Sequence, residues 1–251
     1  MAVAVVALTT FLFATFDADA RTRKRLRTAG GWQAGFASIV VDAKTGKVLD
    51  EEDADELRHP ASLTKMMTLY MLFERLEQGK LTLRSRLKVS EHASDQPPSK
   101  LNVQEGDTID VESAIKALVT RSANDVAVVI AEAIAEDEEA FAALMTKKAR
   151  ALGMTKTTFM NASGLPHREQ VTSARDMATL GRALHDRFPR YYHFFSTTSF
   201  VWRGRVIMNH NRLLGRVQGV DGIKTARRPA TSSRWSSAAG PARSATSTCA
   251  N

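Results

Sequence analysis

Ser62 and Lys65 stand three positions apart in HPASLTKMMTLYMLFE, residues 59–74, at the head of a run with almost no polar residue. On a helix, positions i and i+3 share a face, so the hydroxyl and the amine would point into one cavity at the helix N-terminus. Helix-end amides favour negative charge developing there. A serine is a poor nucleophile at neutral pH, whereas a desolvated lysine beside a second cation loses its proton more readily and can act as its base. Alone, the pair is a short pattern that often arises by chance. The same residues fit an amphipathic helix whose lysine snorkels to solvent.

A second hydroxyl, Ser122, lies two residues before a carboxamide, Asn124, on a polar break between two helical patterns. Such a pair could relay a proton to a leaving group and bind a substrate amide. It could equally cap the helix that follows. A third element, Asp221-Gly222-Ile223-Lys224-Thr225, reads as a turn entering a strand. It would bring a second lysine, able to lower the first one's pKa and to bind a carboxylate.

The elements that must hold these residues are legible in outline. Alternation from Phe36 to Val41, a turn at Lys44-Thr45-Gly46 and a restart at Val48 predict a β-hairpin, with the acidic run Asp50 to Glu56 as a solvated loop. Pro60 to Leu76 is helical, with Pro60 suited to the first turn and Gly79 closing it. Residues 90–110 read as loop plus a short strand. Helices are predicted from Val111 to Leu118, Asp125 to Ile134, Glu138 to Leu152 and Ser173 to Arg187, where Ser173 and Asp176 have capping-box spacing. A second hairpin is predicted from Phe194 to Met208 around Arg203-Gly204. Strands at both ends with helices between predict an α+β fold, a mixed sheet carrying an inserted helical lobe.

Charge and cysteine usage exclude other classes. The net charge of +8 sits in the ends: residues 1–27 carry +3, residues 226–251 carry +4 and residues 28–225 only +1. That placement argues against a nucleic-acid partner. The single cysteine, Cys249, allows no disulfide framework, and the six histidines show no HExxH pairing, so no metal site is expected. Residues 2–16 form a short apolar run followed by Ala18-Asp19-Ala20, which predicts a signal peptide over 1–20 and a basic linker over 21–33. The basic cluster after that run, and the missing basic residues before it, are unusual for such a leader.

Ser-x-x-Lys, Ser-x-Asn and Lys-Thr, in this order and spacing, form the signature of penicillin-binding proteins and serine β-lactamases. With ASLTKMMT (61–68), RSANDVAV (121–128), TFMNASGLP (158–166), NHNRLL (209–214) and GVDGIKT (219–225), the chain resembles the D-alanyl-D-alanine carboxypeptidases of the S11 peptidase family over about 34–225. The resemblance implies a central antiparallel sheet flanked by helices with a helical lobe, and an active site at their junction. It implies Ser62 as acylated nucleophile, Lys65 as general base, Ser122 and Asn124 as the second catalytic pair, and Lys224 and Thr225 as holders of the substrate's terminal carboxylate. The implied reaction removes the terminal D-alanine of peptidoglycan pentapeptides, with β-lactams as acylating inhibitors and no metal or organic cofactor. The implied location is the bacterial periplasm or cell envelope, with peripheral membrane association of a full-length parent.

The likeness stops after Thr225. The family's Lys-Thr-Gly has Ala226 in its last place, its oxyanion donor falls at Arg227, and residues 226–251 show neither alternation nor an apolar run. The expectation is an incomplete catalytic domain over 34–225, with C-terminal strands missing, and an aberrant, disordered tail over 226–251 from a shifted or truncated reading frame. Two alternatives stay open: a penicillin-binding remnant that binds cell-wall peptide without turnover, and a serine β-lactamase. For the latter, Glu169 is the one glutamate in 155–172 and lacks the Glu-x-x-x-Asn form.

Overall fold

The structure is a computed structural model that describes residues 35–225 and the backbone of residues 245–250. The expected leader over 1–20 and linker over 21–33 lie outside the described residues.

Strands β1 (Ala37–Asp42) and β2 (Val48–Glu52) form the first hairpin, with Ser38 opposite Glu52 and Val41 opposite Val48. Asp42 fixes its turn by accepting hydrogen bonds from the Thr45 amide (2.7 Å) and hydroxyl (2.8 Å). The buried face of β1, Ala37, Ile39 and Val41, packs on Ala174 and Ala178. The acidic run is only partly a loop, because Asp50–Glu52 lie in β2 with their side chains exposed.

Helix α1 (Lys65–Glu77) is continuous with a 3-10 turn over Ala61–Thr64, and its residues from Lys65 to Phe73 are all buried. A helix covered on nearly every side belongs to a domain interior rather than a surface. Tyr70 and Phe73 pack edge-on against Phe188, and Phe73 stacks on Tyr191 at 5.3 Å. Strand β3 (Arg86–Lys88) pairs antiparallel with β4 (Thr108–Asp110), and α2 (Glu91–Ser94) lies between them in sequence. The lobe continues with α3 (Val111–Thr120), α4 (Asn124–Ile134) and α5 (Glu138–Ala151), α3 capped by Asp110 and α5 by Asp137.

Helix α6 (Ala174–Arg187) is capped by Ser173, which accepts the Asp176 amide. The capping box is only half formed: the Asp176 carboxylate turns to Thr157 Oγ1 (2.6 Å) and the Lys156 amide (2.9 Å). After α7 (Pro189–Tyr192), Phe194 and Phe195 are buried in a 3-10 turn, so the second hairpin is shorter than predicted, with β5 (Ser199–Trp202) and β6 (Arg205–Met208). Burial of two consecutive aromatic side chains suits a turn, since strand alternation would send one of them to solvent.

Two expectations change at the C-terminal end. Residues 221–225 adopt no strand, so Lys224 and Thr225 lie in an irregular segment. The reading that 226–251 gives the sheet no strand is corrected at six residues: β7 (Ala245–Ala250) pairs antiparallel with β1, from Ala37 opposite Ala250 to Asp42 opposite Ala245, giving the order β2-β1-β7. Backbone pairing to an open strand edge needs no apolar pattern, which is why the sequence hid it. The whole is α+β, helices with small antiparallel sheets.

Candidate active site

The site is built around the start of α1. Ser62 lies in the 3-10 turn and Lys65 follows it, its backbone N–H donating to the Ser62 carbonyl. Side chains three apart in a 3-10 turn eclipse one another, so the two residues share one side. Ala61, just before the serine, has φ +46, a left-handed conformation costing a residue with a Cβ about 1–2 kcal/mol. Ser122, in the α3–α4 break, is likewise left-handed, with φ +60. Such backbone is held in place by its surroundings and clusters at functional sites.

Lys65 is fully buried, and its Nζ donates to Asn124 Oδ1 at 2.8 Å and to the Ser163 carbonyl at 2.5 Å. The orientation of the Asn124 amide is set from its other end, where Nδ2 donates to the Pro97 carbonyl at 2.8 Å. Lys65 therefore does not snorkel. Burial drives its amine well below the usual lysine range, and the charge of Lys224 pushes the same way, while Asp125 and Glu138 oppose them. The neutral amine has two N–H groups and one lone pair. In that form, with both N–H groups engaged by Asn124 and Ser163, the lone pair would remain for a proton.

Ser122 is 5% exposed, and its Oγ has no hydrogen-bond partner. A buried hydroxyl left unpaired costs about 1–3 kcal/mol, so a group that would pair with it has a ready acceptor and donor there. Neither Ser122 nor Asn124 caps α4 by its side chain; Ala123 holds the cap position. Lys224 keeps some exposure, yet the packing around its ammonium pushes it down to about 7. Its Nζ donates to the Thr225 carbonyl at 2.8 Å.

Four residues central to this arrangement had no role assigned from sequence. Ser163 supplies a backbone carbonyl, an atom every residue owns. Gly164, with φ +83, presses on the Ala61 peptide so closely that a Cβ would stand 1.8 Å from the Ala61 oxygen. Asp125 accepts the backbone N–H groups of Leu101, Asn102 and Val103 at 2.8–3.2 Å, tying that loop to the start of α4. Glu138 accepts the Ala162 N–H at 2.9 Å. Gly164 and Ser163 lie inside the quoted TFMNASGLP segment, where the Ser-Gly turn was the available signal.

The chain is similar to known proteins. The family model for peptidase S11, D-alanyl-D-alanine carboxypeptidase, matches residues 28–232. The D-alanyl-D-alanine carboxypeptidase DacF of Bacillus subtilis (strain 168) is 34% identical over 197 residues, 75% of this chain and 50% of the relative. The crystal structure of the D-alanyl-D-alanine carboxypeptidase DacD from Francisella tularensis superimposes with a TM-score of 0.74 at 29% identity, over 76% of this chain and 59% of that one. Penicillin-binding protein D2 from Listeria monocytogenes in its cefotaxime-bound form gives a TM-score of 0.69 at 28% identity, over 80% of this chain and 82% of that one. The chain spans about half the length of the curated relatives it matches. On the extent of these matches, the chain belongs to the peptidase S11 family of D-alanyl-D-alanine carboxypeptidases.

Proposed function

We propose that the chain acts as a serine D-alanyl-D-alanine carboxypeptidase, removing the terminal D-alanine from peptidoglycan pentapeptides in the cell envelope. Ser62 is the nucleophile, Lys65 its base, Ser122 and Asn124 the second catalytic pair, and Lys224 with Thr225 the carboxylate site. The observation that carries this reading is the fully buried Lys65 amine, held by Asn124 and Ser163 and driven well below the usual lysine range by burial.

In this scheme the amine takes the Ser62 hydroxyl proton as Oγ bonds to the carbonyl carbon of the penultimate D-alanine. The proton passes through the Ser122 hydroxyl to the leaving nitrogen, the C–N bond breaks, and D-alanine departs from an ester on Ser62. Water then attacks that ester with Lys65 again as base, freeing the serine and the shortened peptide. A β-lactam offers a strained amide carbonyl to the same nucleophile, and the cefotaxime-bound relative supports its use as a probe.

A second reading, a remnant that binds cell-wall peptide without turnover, is favoured by one observation. Lys224 and Thr225 lie outside any strand, and the Lys224 ammonium is engaged by its neighbour's carbonyl. The test pairs fluorescent-penicillin labelling with D-alanine release from diacetyl-Lys-D-Ala-D-Ala. Both should occur in the parent chain and vanish in Ser62→Ala, and Lys65→Arg should stop acylation because a guanidinium does not deprotonate. Labelling that survives Ser62→Ala would overturn the nucleophile assignment. Labelling without release would favour the remnant.

A further inference from the structure

Glu138 opens α5 with its side chain turned inward, 15% exposed. One carboxylate oxygen accepts the Ala162 N–H at 2.9 Å, and the other meets His92 Nε2 of α2 at 3.0 Å. Ala162 is fully buried, and its carbonyl accepts the Thr68 hydroxyl at 2.7 Å. The next carbonyl, that of Ser163, holds the Lys65 amine. Three backbone atoms on two adjacent residues are thus committed to three side chains, two from α1 and one from α5.

We propose that Glu138 is a positioning residue for Lys65: its carboxylate pins the Ala162 N–H so that the Ser163 carbonyl faces the amine, and it supplies one of the anionic charges felt there. The idea rests on the proposed function for its catalytic consequence, not for its geometry. The charged groups acting on the amine are Lys224 from the C-terminal segment, Asp125 from α4 and Glu138 from α5, with His92 from α2 on the far side of the Glu138 carboxylate. The Asp125 carboxylate is already occupied by backbone N–H groups. Glu138 serves the segment that touches Lys65, so its charge bears on the amine directly and its hydrogen bond bears on it through Ala162 and Ser163.

The two contributions separate by substitution. Glu138→Gln keeps an acceptor for Ala162 N–H and removes the charge; Glu138→Ala removes both. The whole 251-residue chain carrying [13Cε]lysine would be titrated by NMR, with the Lys65 signal assigned by its loss in Lys65→Met. Without the nearby anion the ammonium is less favoured, so Glu138→Gln should lower the Lys65 midpoint by about half to one pH unit. Its Ala162 amide should stay protected from hydrogen exchange. In Glu138→Ala the midpoint should also fall, and Ala162 should exchange at least about tenfold faster. An unmoved midpoint in Glu138→Gln, or unchanged Ala162 protection in Glu138→Ala, would overturn the proposal; if the alanine variant does not fold, the glutamine midpoint decides. The titration needs no turnover, so absence of penicillin labelling in the parent chain would count against the proposed function alone.

Discussion

Replacing Gly164 with alanine tests whether the loop after Ser163 sets the position of Ser62, the proposed nucleophile. The added Cβ would lie 1.8 Å from the Ala61 oxygen, 2.5 Å from its carbonyl carbon and 3.0 Å from Thr64 Oγ1. These first two neighbours are backbone, so no side chain can rotate away; the two segments must part by about 1 Å or more to reach an ordinary contact. The φ of +83 adds about 1–2 kcal/mol for any residue with a Cβ, and the forced separation about 1–3 kcal/mol. The expected loss is about 2–5 kcal/mol, a fall of about 5–15 °C in Tm for a chain of this size. Because the Ala61 peptide leads directly into Ser62, a shift of this order should slow acylation about a hundredfold. Gly153→Ala is the matched control: its φ is +85, but nothing lies within 4 Å of the Cβ position, so it should lose only the left-handed cost of about 1–2 kcal/mol. Thermal melts and fluorescent-penicillin labelling rates of the two variants would be compared. If Gly164→Ala melted within about 2 °C of Gly153→Ala and labelled as fast, the argument that this contact fixes Ser62 would fail.

Lys224 is pushed by burial from 10.5 to about 7, so between those values the unfolded chain binds a proton that the folded chain does not; stability from this position rises with pH across that window and is lost on descent. Lys224→Met should therefore melt higher than the parent near neutral pH and lose that advantage toward about pH 10, whereas parallel Tm profiles would refute the shift. Asp125→Asn puts an NH2 group among backbone N–H donors from Leu101, Asn102 and Val103; urea unfolding should show a loss of about 2–4 kcal/mol, and a loss below about 1 kcal/mol would mean the loop finds other partners. Ser122→Ala removes a buried hydroxyl that has no partner, so Tm should hold or rise while D-alanine release falls about 10²- to 10⁴-fold. A drop in Tm matching the drop in rate would make Ser122 structural.

What the sequence made legible and what it hid divide along a physical line. Helix α1 was visible because burial on all sides demands an unbroken apolar run, and Lys65 stood out as the one charge that such a run could not solvate. The turn at Lys44-Thr45-Gly46 and the end residues Gly79 and Ser173 were visible because their chemistry is local, a side chain or backbone conformation acting within a few residues. Strands β3 and β4 are three residues each, too short to establish a period of two; β4 falls within the loop plus short strand read over 90–110, and β3, which precedes that range, was not anticipated. The atoms that position Ser62 and Lys65 were hidden for a different reason. Ser163 acts through a carbonyl 98 residues away, and Gly164 acts by lacking a Cβ against a peptide that only the fold brings near. A motif can therefore identify the residues of this site, but the proton affinity of its amine is set first by burial and then by charges on the C-terminal segment, α4 and α5, which no spacing between the motifs encodes. The substitutions most informative about this pair are consequently ones outside the motifs, at Glu138 for Lys65 and at Gly164 for Ser62.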